Sequence, residues 1–144
     1  MYLKIHHLGI AVQDLQGTTD IFQTLLGLPL AHTEEVPSEK AKVSFFPVGE
    51  SHLELVQPTD PSATLSKFLE KRGPGIHHVC LEVEDLPTLM ETLKGRGVKL
   101  INEQPTPGAH GAQVAFIHPK SAGGILIELR QGPPEERQGS GVSH

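Results

Sequence analysis

His6-His7-Leu8-Gly9-Ile10-Ala11-Val12-Gln13-Asp14-Leu15 returns 71 residues later as His77-His78-Val79-Cys80-Leu81-Glu82-Val83-Glu84-Asp85-Leu86. Each copy leads into a Gly/apolar segment, Gly27-Leu28-Pro29-Leu30 and Gly97-Val98-Lys99-Leu100. Each then closes on an apolar run around one glutamate, Ser51 to Gln57 around Glu54 and Gly124 to Arg130 around Glu128. A period near 70 residues is too long for a solenoid and fits a duplicated module. Half of a 144-residue chain buries too little surface to fold alone, whereas the whole is one ordinary domain. Two like halves that each offer a His and a Glu point to one shared site.

Within each half the pattern reads β-α-β-β-β. Ile5 to Val12 alternates around β-branched residues as a strand. Asp14 offers an N-cap, and Leu15, Thr18, Ile21, Phe22, Leu25 and Leu26 recur at helical spacing until Gly27. Strands follow near Leu28 to Glu34, Ala41 to Val48 and His52 to Gln57, the last two joined by a turn at Gly49-Glu50. In the second half the expected elements are strand His77 to Val83, helix Leu86 to Arg96, and strands near Lys99 to Asn102, Gln113 to His118 and Gly124 to Leu129. The class is α+β, with modules at about 1–58 and 75–131, a linker helix over about 61–71, and a curved sheet around a metal cleft. The Gly/Pro-rich end, 132–144, reads as a flexible tail outside a single domain of 1–131.

Strand parity then selects candidate ligands, because residues two apart share a face. Leu8, Ile10 and Val12 oppose His7, Gly9 and Ala11, and Leu53 and Leu55 oppose His52, Glu54 and Val56. In the second half Val79, Leu81 and Val83 oppose His78, Cys80 and Glu82, and Ile125, Ile127 and Leu129 oppose Leu126, Glu128 and Arg130. One face is aliphatic and packs under helices. The other carries His7, Glu54, His78 and Glu128, with the small Gly9, Ala11 and Cys80 leaving room for a ligand. Buried carboxylates need charge compensation, and a divalent cation supplies it. Two imidazoles and two carboxylates suit Co²⁺, Mn²⁺, Ni²⁺, Fe²⁺ or Zn²⁺ rather than Ca²⁺ or Cu(I). His6 and His77 have the opposite parity and read as structural or supporting. His52 shares the Glu54 face, and His32, His110, His118 and His144 lack a counterpart at matching phase.

Composition narrows the function classes. A net charge of −5 with mixed signs gives no basic stripe for nucleic acid, and no apolar stretch is long enough to span a bilayer. The lone Cys80 excludes an intrachain disulfide and a thiolate zinc site, and reads as a small strand filler. Met1-Tyr2-Leu3-Lys4-Ile5 runs straight into the first strand, so a cytoplasmic protein without a leader is expected. No phosphate-cradling fingerprint is present.

The paired modules with His-Glu-His-Glu resemble the vicinal oxygen chelate, or glyoxalase, superfamily, and within it the methylmalonyl-CoA epimerase family. The resemblance runs from about Ile5 to Gln131. It rests on His7-Leu8-Gly9-Ile10-Ala11-Val12, on Phe68-Leu69-Glu70-Lys71 leading to Gly75-Ile76-His77-His78, on Gly108-Ala109-His110-Gly111, on Phe116-Ile117-His118-Pro119-Lys120, and on Gly124 to Leu129. It implies interconversion of (2R)- and (2S)-methylmalonyl-CoA through an enolate, with cobalt or another divalent ion at His7, Glu54, His78 and Glu128. It also implies a homodimer, with Glu128 both ligand and base and His110, Lys120 and Ser121 beside the thioester or the CoA phosphates. Some relatives carry a second glutamate on the strand before the Glu54 hairpin. Here that position is Val43, which leaves water on the ion, ahead of Lys42 or Glu50, as the expected second proton carrier.

Two other readings keep the same modules. A lactoylglutathione lyase of the same superfamily would keep the metal and change the substrate. A drug-sequestering module would bind without catalysis, and retention of all four ligand-type residues disfavours it. A two-His, one-carboxylate Fe(II) dioxygenase is disfavoured by Glu54 as a fourth ligand.

Overall fold

The computed structural model describes residues 1–136. Its strands and main helices, in chain order, are β1 (Tyr2–Ala11), α1 (Leu15–Asp20), which runs on as a π-helical segment Ile21–Leu25, β2 (His32–Val36), β3 (Ala41–Val48), β4 (Ser51–Pro58), α2 (Thr64–Arg72), β5 (Gly75–Val83), α3 (Leu86–Gly95), β6 (Thr106–Pro107), β7 (Gln113–Ile117) and β8 (Ile127–Gln131). The chain divides into two compact units, Ile5–Val79 and, as the other, Met1–Lys4 together with the described residues from Cys80. No helix among the described residues is long and apolar enough to cross a membrane.

In the first unit the strands run β2-β3-β4-β1, with the Gly75–Val79 stretch of β5 beyond β1. β3 and β4 form the expected hairpin, closed by Val48 opposite Ser51 with Gly49 at φ 61°. β4 lies parallel to β1, and this places Gly9 opposite Glu54. Val12, Leu15, Phe46 and Leu55 form the core, with Ile10, Phe22, Leu28, Leu30 and Leu53 against it. In the second unit the order is β5-β8-β7-β6. Its core gathers Val83, Leu86, Leu89, Met90, Leu93, Leu100, Ala115, Ile117 and Leu129.

The duplication extends to the helix entrances. Asp14 and Asp85 are N-caps that accept from Gly17 and Thr88. Gln57 Oε1 accepts from the Leu15 N–H, and Gln131 Oε1 from the Leu86 N–H, both at 2.7 Å. Each glutamine satisfies one of the donors that a helix leaves open at its start. The glutamines are 74 residues apart, the same offset as Glu54 and Glu128, so the sequence itself carries the signal for this pair.

Four of the boundaries that differ from expectation have a local cause. β2 begins at His32 rather than Leu28, because Leu28 and Leu30 turn into the core and Pro29 has no N–H to give a ladder. The strand expected near Lys99 to Asn102 is reduced to one bridge, Leu100 to Ile117. There the Asn102 side chain accepts from Phe116 N and donates to Val114 O and Gln104 O, taking places a neighbouring strand would fill. β8 begins at Ile127 because Gly123 and Gly124, at φ 67° and 93°, make a turn first. The linker helix begins at Thr64 rather than 61, since Asp60 holds a turn by accepting from Ser62 N, Ala63 N and Ser66 Oγ.

Residues 132–136, read from composition as tail, hold contacts, and 137–144 lie outside the described residues. Gly132 N donates to Glu82 Oε2, and Arg130 donates to Glu82 Oε1 at 2.8 Å and to both Glu136 oxygens at 2.7 and 3.1 Å. Burial opposes the Arg130 charge, but the bonds to Glu136 and Glu82 outweigh it and raise its pKa. Breaking one partner of a buried pair costs about 3–5 kcal/mol, and Glu136 keeps part of the compensation. Glu82→Ala is therefore expected to lose about 2 kcal/mol in urea unfolding, and a cost below about 0.5 kcal/mol would contradict a structural role.

The Arg130 bonds also hold the Glu136 carboxyl below its ordinary value of 4.5. A carboxyl depressed in the folded state adds stability that is present above the unfolded pKa and is lost as pH falls through the folded one. Glu136→Gln should accordingly flatten the fall of melting temperature below pH 4.5, by a small amount because the side chain is 41% exposed. Thermal scans between pH 3 and 6 check this.

Candidate metal centre

β1 brings His7 to a buried face, 4% exposed, and β5 brings His78 to meet it. Their Nε2 atoms lie 3.0 Å apart. Two metal–nitrogen bonds of about 2.1 Å at a right angle would separate their nitrogens by about 3 Å, so the pair already has the spacing of neighbouring corners in an octahedral shell. Gly9 makes this approach possible: a Cβ there would run into the His78 imidazole. Glu54, on β4 opposite Gly9, is 8% exposed and sets Oε2 3.0 Å from His7 Nδ1. His7, Glu54 and His78, chosen by parity, are thus brought together within the first unit. The two facing imidazole nitrogens suit a borderline divalent ion, while the Glu54 carboxylate sits at the other ring nitrogen of His7.

The histidines of opposite parity stand where a supporting role puts them. His6 Nδ1 lies 2.9 Å from His7 Nδ1, and His77 Nδ1 lies 2.9 Å from His78 Nδ1. Each ligand-type histidine is therefore flanked at its second ring nitrogen by its own neighbour, the arrangement that fixes which nitrogen faces a metal. His77 is braced edge-on by Phe68 of α2, at 4.9 Å between centroids. His52 tilts against His6 with centroids 5.1 Å apart. Glu54 meets the Nδ1 edge of His7, so it orients the ring as well as offering an oxygen.

Glu128 lies on β8 in the second unit, 5% exposed and opposite Phe116 of β7. Glu54 stands in the same relation to Phe45 of β3, so the duplication holds at the level of register. Cys80 is fully buried. The three residues expected beside a substrate are exposed in turns of the second unit: His110 at φ 59° in Ala109–Gly111, and Lys120 and Ser121 in Pro119–Ser121. Ser121 Oγ already accepts from Lys99 N, and the His118 ring caps its own turn through Lys120 N.

The model of the Glyoxalase/Bleomycin resistance protein/Dioxygenase superfamily matches residues 6–116. The chain is similar to the uncharacterized protein YqjC of Bacillus subtilis, 36% identical over 88% of this chain and 90% of that one. It is 35% identical to the ethylmalonyl-CoA/methylmalonyl-CoA epimerase of Cereibacter sphaeroides, over 89% of this chain and 97% of that one. The crystal structure of the methylmalonyl-CoA epimerase of Mycobacterium tuberculosis superposes with a TM-score of 0.88 at 35% identity, covering 94% of this chain and 91% of that one.

Proposed function

This chain belongs to the Glyoxalase/Bleomycin resistance protein/Dioxygenase superfamily and to the methylmalonyl-CoA epimerase family within it, and on that premise we propose that it interconverts (2R)- and (2S)-methylmalonyl-CoA. The observation that carries the reading is the pair of facing imidazoles, His7 and His78, with Glu54 behind His7 at its second ring nitrogen. In this reading His7, Glu54, His78 and Glu128 hold a divalent ion, with Co²⁺ favoured and Mn²⁺, Ni²⁺ or Zn²⁺ as substitutes. A bound ion would supply Lewis acidity, favouring negative charge on the thioester oxygen as C2 loses its proton.

The chain's own residues supply the rest. Glu128 takes the C2 proton on one face and holds it for return. Gly9 leaves the room that the His78 ring takes, and His6 and His77 hold the ligand rings in orientation. His110, Lys120 and Ser121 contact the thioester or the CoA phosphates. The protein acts in the cytoplasm as a homodimer, without nucleic acid or membrane as partner, and light scattering tests the dimer.

The direct test is to incubate the cobalt-loaded protein with methylmalonyl-CoA in D₂O and follow C2 by NMR. Deuterium at C2 with loss of configuration is the expected result. Turnover of a glutathione hemithioacetal without C2 exchange would replace this reading by a lactoylglutathione lyase. Binding without either reaction would leave a sequestering module.

A further inference from the structure

An imidazole turns easily about the bond that joins it to Cβ, because that torsion is broad and two-fold rather than staggered. His78 keeps Nε2 facing His7 Nε2, at 3.0 Å, only if something outside its own backbone fixes the ring. Its Nδ1 lies 2.9 Å from His77 Nδ1. The His77 ring, however, turns as freely about its own bond, and a contact between two loose rings orients neither. What holds His77 therefore decides how firmly His78 is held.

The linker helix α2 supplies such a hold. Leu65 and Leu69 are its buried anchors, and Phe68, three residues after Leu65, falls beside them on the same side of the helix. Gly73, at φ 72°, ends the helix and turns the chain into β5, which carries His77 back to Phe68. The two rings meet at 84° with centroids 4.9 Å apart, the edge-to-face geometry that aromatic rings prefer. Turning the His77 ring would break that contact. Phe68 is held in its turn by Arg72, one helical turn on, whose guanidinium carbon lies 5.8 Å from the ring centroid. The first half builds the same device from a different element: His6, beside His7, is met by the ring of His52 on β4, with centroids 5.1 Å apart. All of these residues lie in the first unit.

Resting on the metal centre of the reading above, we infer that Phe68 is a positioning residue for the ion, acting through His77 to keep His78 Nε2 turned toward the place it shares with His7. Phe68 stands two rings away from that place. The stretch from Phe68 to His78 is then one working unit, in which a helix face sets a ring and that ring sets a ligand. Removing a partner that touches a metal ligand directly costs about 10–100-fold in affinity, and Phe68 is one contact further out, so about tenfold is expected for it.

The test is competitive cobalt titration of Phe68→Leu, which keeps an apolar helix face and removes the ring, and of Phe68→Tyr, which keeps the ring. Phe68→Leu is expected to bind cobalt about tenfold more weakly, and Phe68→Tyr as the parent does. In the cobalt-loaded proteins the paramagnetically shifted N–H signal of His78 should exchange faster with water in Phe68→Leu, while that of His7 stays unchanged. In a His77→Ala background Phe68→Leu should weaken affinity no further, because its only route to the ion is already gone. Parent affinity in Phe68→Leu would overturn the inference. So would a loss that Phe68→Tyr shares, or one that persists in full in the His77→Ala background, since either would mean that Phe68 acts through helix packing alone. Every readout here is of metal, so a parent that binds cobalt without exchanging C2 would sink the epimerase reading and leave this inference standing. A parent that takes up no cobalt would overturn both.

Discussion

Replacing Glu128 with glutamine is expected to slow inversion of methylmalonyl-CoA by about three powers of ten while the protein keeps its metal and its melting temperature. The size follows from removing a general base, whose contribution is about 10²–10⁴. The amide is the same shape as the carboxyl and keeps an oxygen donor, so metal content by mass spectrometry should stay near that of the parent. Its neighbours should tolerate the change, because Glu128 is 5% exposed on a strand whose partner residue is Phe116. Full C2 exchange in the variant would remove Glu128 from the base role. Loss of metal together with activity would leave it as a ligand only.

Much of this was legible because the chain repeats itself. A side chain's face follows from parity wherever a strand is regular, and β1, β4 and β5 are regular through His7, Glu54 and His78. The Asp14 and Asp85 caps and the Gly49 turn are likewise local chemistry that a sequence displays. What escaped was non-local. Asn102 satisfies three backbone groups with one side chain, and nothing in the order of residues announces that the strand near Lys99 to Asn102 will be reduced to one bridge.

A single methyl group at Gly9 is enough to disturb the site. Gly9→Ala is expected to weaken divalent-metal binding more than 100-fold and to cost about 1–3 kcal/mol in stability. The backbone at Gly9 is ordinary strand, so no conformational penalty arises there, and the entire effect comes from the His78 imidazole lying where the new methyl must go. His78 can leave only by giving up its 3.0 Å approach to His7 and its 2.9 Å contact with His77. The fold should survive, because what moves is a side chain and the β1–β4 ladder remains whole. Adding His78→Ala to Gly9→Ala should then restore part of the lost stability without restoring metal, a non-additivity that only direct contact produces. Gly95→Ala, at the end of α3 with nothing within 4 Å of the added carbon, is the control and should bind metal as the parent does. Competitive cobalt titration against a chromophoric chelator distinguishes these outcomes. Unchanged affinity in Gly9→Ala would mean that the ring above the glycine is not the one that holds the ion.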